Sequence, residues 1–216
     1  MCYKRALKHD KRKCCDYYFS LIKTKNYLIF SFCPNRDYNS AIIKISLFLI
    51  FFSIFYFINA LFFNEKTIHK IYEDNGFYNF IYLVPYIFYS FAISHTLNTI
   101  IRHIFLSERN IYKIKNVKKD EWELTEKIKK RLTIKYICFY CIGTIFLMFV
   151  WYYLSSFGAV YHNTQIYLIK NTSISFAVGL IYPFISCIFI SILRNCALKG
   201  QNNKLLYNIS KFFQYI

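Results

Sequence analysis

Residues 45–63 read ISLFLIFFSIFYFINALFF, nineteen positions without an Asp, Glu, Lys or Arg. A hydrocarbon core about 30 Å thick needs roughly 20 apolar residues in a helix rising 1.5 Å per residue. Four Ile, three Leu and seven Phe in this stretch contribute on the order of −4 to −8 kcal/mol to insertion, against which the lone Asn59 weighs little. Three further blocks are equally free of charge: Phe77–Ile101, Tyr136–Tyr161 and Asn171–Leu193. The expected fold class is therefore all-α, a helical integral membrane protein with four transmembrane helices. A soluble domain carries about 25% charged residues. Here the fraction is 18%, and the charges are excluded from long blocks.

The four blocks divide the remaining chain into five pieces that hold 10, 2, 11, 1 and 4 Lys and Arg. The alternate pieces thus carry 25 cations against three. Basic loops stay on the cytosolic side, so this asymmetry predicts cytosolic N and C termini. The expected organisation is a basic head over 1–44, a four-span membrane domain over 45–193 and a cytosolic tail over 194–216. The head carries an interfacial helix over 17–33, on which Tyr18, Leu21, Ile22 and Ile29 recur at helical spacing. Ser40 is placed to cap the first span, and Lys44 to snorkel towards headgroups. Between the second and third spans, residues 102–135 read as a cytosolic helical hairpin. Ile104, Ile111, Ile114 and Val117 continue the second span, and Leu124, Ile128 and Leu132 follow an acidic start at Asp120 and Glu123. The tail is expected to form an amphipathic helix with Leu205, Leu206, Ile209, Phe212 and Phe213 near one face. The outward pieces, Asn64–Gly76 and His162–Lys170, are too short for an ectodomain.

A net charge of +17 on a soluble face would suggest nucleic acid. Beside membrane spans it is read instead as attraction to anionic inner-leaflet lipids, about 1 kcal/mol per nearby cation. No nucleic-acid partner is expected. The bilayer itself, protein partners on the cytosolic side and a homo-oligomer are the partner expectations. Phe, Tyr, Ile, Asn and Lys all have A/T-rich codons, so a biased genome accounts for their abundance. Plasma membrane or endomembrane is the expected location ahead of a mitochondrial membrane, because the head has Asp10 and Asp16 and few Ser or Arg. No secretory signal peptide is read in the first thirty residues.

Inside the spans the polar residues are few. The second carries Ser90, Ser94, His95, Asn98 and Thr99, then Arg102 at its end; positions 90, 94, 98 and 102 share one face. Buried in hydrocarbon, such groups face other helices or water. The stripe, with Asn59 of the first span, is read as hydrogen-bonding contact between helices; a conducting path is the alternative. Small residues at four-residue spacing, Ser155 with Ala159 and Ser175 with Gly179, suit close helix packing, and Pro183 predicts a kink. Cys14–Cys15, in a basic setting, is a candidate lipidation site. The other cysteines are read as unpaired thiols, and Cys138–Cys141 lacks a second ligand pair for zinc. His69, Glu73, Asp74 and His162 could meet outside, but their spacing matches no metal motif. No catalytic motif, metal site or cofactor is read from the chain.

The runs Asp37–Asn39, Lys44–Phe48, Ile58–Phe63, His69–Asp74, Leu106–Glu108, Trp151–Tyr153 and Ala159–Gln165 resemble a family of multi-span membrane proteins of protists (single-celled eukaryotes). The likeness covers roughly residues 37–193. That family has no assigned activity, so the resemblance implies a membrane location and lends no catalytic or binding residues. Together these readings point to a non-enzymatic scaffold or membrane anchor of a larger assembly, with a channel or transporter subunit as the alternative.

Overall fold

The computed structural model describes residues 12–34, 39–75, 77–116, 122–200 and 203–215, together with 3, 6, 7, 10 and 37. It is 89% helical and has no strands among these residues. Four helical segments, Ala41–Phe62, Phe80–Tyr112, Thr125–Val160 and His162–Lys199, are long and apolar enough to cross a membrane. The chain forms two compact units, Arg36–Val178 and Met1–Asn35 with Gly179–Ile216.

In the first unit, α3 (Ala41–Phe62) is the central helix, and α5 (Phe80–Phe105) and α7 (Trp122–Val160) pack along it. Helix α3 is apolar on all sides, which suits a helix with neighbours around it. Its Phe48, Phe51, Phe52 and Phe55 surround Phe176 of α8 (Gln165–Asn195), with ring centroids 5.3–6.0 Å apart. Three of these pairs are edge-to-face, the arrangement the ring quadrupole favours. A second cluster of Ile43, Leu47, Ile50, Ile54, Ile58 and Phe139 ties α3 to α7. Much of α7 stays uncovered within the chain: Ile137, Ile145, Met148 and Tyr152 are all exposed. Apolar side chains on the outside of a spanning helix are solvated by lipid at no cost.

Helix ends depart from the charge-free blocks. The second span continues into the polar piece only as far as Phe105. Helix α5 stops at Phe105, Leu106 is extended, and α6 (Glu108–Asn116) starts afresh. A residue of the next span holds the break: Lys135 Nζ bonds to Leu106 O at 3.2 Å and Ser107 Oγ at 2.6 Å. The turn of the expected hairpin, with Val117 and Asp120, lies outside the described residues. Helix α7 then runs unbroken from Trp122 through the basic Lys127–Arg131 into the third span. Most of the second outward piece is also helical. A single turn, His162–Thr164, precedes Gln165, whose Nε2 bonds to Gly158 O at 2.6 Å. In the first outward piece Asn64 caps α4 (Glu65–Glu73), its Oδ1 accepting from Thr67 N. Asn75 takes φ 50°, a left-handed conformation that a short polar side chain tolerates.

Two further expectations are corrected. Lys44 does not snorkel. Its side chain is buried and ion-paired to buried Asp37, seven residues earlier. Ser40 stands at the N-cap of α3, but its side chain makes no capping bond.

The second unit holds α1 (Cys14–Lys25), α2 (Tyr27–Phe32), the C-terminal part of α8, a π turn Cys196–Gly200 and α9 (Lys204–Tyr215). The expected interfacial helix is two helices broken at Asn26. Asn26 Oδ1 accepts from Leu28 N and Ile29 N, each at 3.0 Å, capping α2. Its Nδ2 donates to Leu180 O at 2.9 Å. Three residues on, Pro183 lacks the N–H that Gly179 O would take, yet α8 stays helical through this point. Tyr17, Leu21 and Ile22 pack on Cys187 and Ile190 of α8, so the apolar stripe of α1 is covered by protein. The tail forms helix α9. Tyr207 and Ser210 are buried, while Leu205, Phe212 and Phe213 are exposed.

Candidate functional site

Three residues of the polar stripe of the second span are buried. Ser90, Ser94 and Asn98 lie with Leu83 and Ile87 on the buried side of α5, the helix that runs along α3. Asn98 satisfies itself within the helix, Nδ2 donating to Ser94 O at 2.7 Å. The Ser90 and Ser94 hydroxyls have no hydrogen-bond partner among the described residues. Small side chains at such positions suit the close approach of two helix backbones. His95 is half-buried and stacks on Phe91, and Thr99 returns its hydroxyl to His95 O at 2.8 Å. Arg102 is half-buried near the end of α5. Asn59 makes a bond between helices: Nδ2 donates to Ser175 Oγ at 2.7 Å and to Phe55 O at 2.8 Å. Both partners are buried. A neighbouring cavity of about 240 Å³ between α3, α5 and α7 is lined, among the described residues, by apolar side chains such as Ile54, Leu97, Ile101 and Phe139, and by Gly143.

The other expected packing residues divide. Gly179 and Pro183 are buried on α8 along with Ser175. Ser155 and Ala159 are exposed among the described residues, and Phe157 supplies the buried contact of that part of α7. Cys14 is half-buried and Cys15 exposed at the start of α1, and the described cysteines are free thiols. No group of three or more metal-ligating side chains comes together among the described residues. His69 pairs with Glu73 at 3.3 Å, and Lys70 reaches Glu73 at 3.2 Å and Asp74 at 3.5 Å. His162 is exposed beside Asn163.

The most elaborate polar arrangement was not legible in the sequence. In the second unit Asp10 accepts from two guanidiniums. Arg12 Nε and Nη2 reach its oxygens at 2.8 and 3.0 Å, and Arg194 Nε and Nη2 reach Oδ2 at 3.1 and 2.7 Å. Arg194 Nη1 donates to Tyr17 Oη at 3.2 Å, and Tyr17 Oη donates to Gln214 Oε1 at 3.1 Å. The Arg194 guanidinium lies 4.5 Å from the Tyr17 ring centre and 5.3 Å from that of Tyr207, within cation–π range of both. Arg12 lies 5.0 Å from the Tyr17 ring. Asp10 and Arg194 are nearly buried, whereas the Arg12 side chain is 49% exposed.

The bonds from Arg12, with those from Arg194, hold the Asp10 carboxyl well below the usual carboxylate range. Burial pushes the Tyr17 phenol up, partly offset by Arg194. Beside this network opens a cavity of about 400 Å³, lined by Arg12, Tyr17, Ser20, Thr24, Arg194 and Lys211 among others. Read singly, each cation was a topology signal. The partners lie more than 170 residues apart, and no spacing rule links them.

Compared with known proteins, the chain matches no family model, no curated protein and no solved structure.

Proposed function

We propose that this chain is a non-enzymatic, multi-pass membrane scaffold or anchor of a larger assembly. In this reading the head, the 102–135 piece and the tail face the cytosol, and protein partners bind there. The observation that carries it is how the polar groups of the spans are used. Ser90, Ser94, Asn98 and the Asn59–Ser175 pair are buried in the bundle, and the cavity beside α5 is apolar among the described residues. Those residues serve packing better than transport, because a path for ions or polar solutes needs such groups in contact with water. The exposed apolar face of α7, with Ser155 and Ala159 on it, supports contact with lipid or with a second membrane chain.

The test is partner capture. Residues 108–131 are replaced by a flexible polar linker in the full chain. Membrane complexes are then cross-linked in native membranes and identified by mass spectrometry. The expected result is unchanged membrane insertion with loss of the co-purified partners. Retention of the same partners by the replaced chain would contradict the assignment. Protease treatment of sealed vesicles checks the sidedness on which it depends.

A further inference from the structure

The basic cavity of the second unit is more than a charge patch. Three cations, Arg12, Arg194 and Lys211, line it, and among the described residues its lining contains no carboxylate. The nearest acid in the network, Asp10, sits behind the arginines and neutralises one charge of two. Holding two guanidiniums on one carboxylate fixes their planes and leaves a net positive site. Arg194 is spent inward, on Asp10 and Tyr17. Arg12 is half exposed, and its Nη1 donates to nothing among the described residues. The Ser20 and Thr24 hydroxyls add polar groups on α1, and the Tyr17 and Tyr207 rings form an aromatic wall. A volume of about 400 Å³ falls within the range of small-molecule sites.

We propose that this cavity binds a phosphate-bearing anion, with Arg12 and Lys211 as its direct contacts and Asp10 as the residue that positions Arg12. Guanidinium forks match phosphate oxygens in pairs, and a phosphomonoester carries more charge than a carboxylate to balance the site. The phosphate can come from a lipid headgroup or from a free anion. The proposal deepens the reading of a chain attracted to anionic lipid by giving that attraction one built site.

The full-length protein is purified in detergent and its retained lipids are counted by native mass spectrometry. Phosphatidylinositol bisphosphate, phosphatidylserine and phosphatidylcholine are added in turn; soluble inositol trisphosphate and inorganic phosphate form a second arm. The expected result is retention of the phosphorylated lipid well above phosphatidylcholine, reduced tenfold or more in the double variant Arg12→Gln, Lys211→Gln. Equal binding of soluble inositol trisphosphate would support the site and assign it a free anion; binding of the lipid alone would assign it a headgroup. Both variant positions are solvent-accessible, and unchanged circular dichroism with an unchanged unfolding temperature confirms that the variant is folded. Equal retention by parent and variant, or no preference over phosphatidylcholine, would overturn the proposal. Because binding is read on the isolated chain, it stands or falls separately from partner capture by the 108–131 segment.

Discussion

The two units bury polar groups by opposite means. The span unit uses neutral groups, which cost less in hydrocarbon than charges, and links them within one helix or in single pairs between helices. Asn98 bonds its own helix, Asn59 bonds Ser175, and the serines of α5 contribute small size. A charged exception, Lys44 with Asp37, stands at the beginning of α3. The other unit gathers a carboxylate, two arginines and two tyrosines drawn from the head, the end of α8 and α9. Breaking a buried charged group's pairing costs several kcal/mol, whereas a neutral contact between membrane helices averages about 0.6 kcal/mol. The comparison teaches where each unit is fragile: one at a few ionic contacts, the other through the fit of its helices.

The largest effect is therefore expected at Arg194. Arg194→Met leaves Asp10 buried with Arg12 as its partner and should destabilise by about 3 kcal/mol, measured by thermal unfolding of the full chain in detergent. The same network sets an acid sensitivity. The Asp10 carboxyl is held low in the folded chain, so its contribution is present above the ordinary carboxylate value of 3.8 and is lost as pH falls below it. Asp10→Asn should accordingly narrow the difference between unfolding temperatures at pH 7 and pH 3. A variant with the parent's full acid sensitivity would show that the network is not formed.

Next come the serines of α5. Ser94→Leu forces a larger side chain into a fully buried contact and should cost about 1–3 kcal/mol. Ser94→Ala removes a buried hydroxyl that has no partner among the described residues, and should be neutral or slightly stabilising. A large loss on Ser94→Ala would mean the hydroxyl has work beyond packing. A double-mutant cycle between Asn59→Ala and Ser175→Ala should give a coupling of about 0.6 kcal/mol, and at most about 1.7. The smallest effect belongs to Ser155→Leu, on the exposed face of α7, within about 0.5 kcal/mol. Loss of a membrane complex without loss of stability in that variant would identify the face as an interface between chains.

The four spanning segments were legible because hydrocarbon excludes charge, and their sequence blocks lie within or close to the observed helices. Helix ends were less so. Residues 122–135 are charged, yet they continue α7, because a helix already fixed by its apolar half extends at little cost. The break at Leu106–Ser107 was hidden because Lys135, which fixes it, lies 28 residues away from Ser107. The stripe at Ser90, Ser94 and Asn98 was legible from its four-residue spacing. The Asp10–Arg194 network was not, because each residue alone reads as an ordinary membrane-flanking charge. Which face of the tail helix turns inwards was not legible, because hydrophobicity alone does not single out Tyr207, with its cationic partner, for the inner face.

The central claim is that Ser90, Ser94 and Asn98 of the second span are sealed within helix contacts. It is tested most directly by replacing the eight native cysteines, restoring single cysteines at positions 90, 94 and 98, and treating permeabilised membranes with a charged water-soluble thiol reagent. The account predicts that these three remain unmodified while a control cysteine at exposed Glu123 reacts fully. Modification of all three at a rate comparable to the control would contradict it and place water along α5.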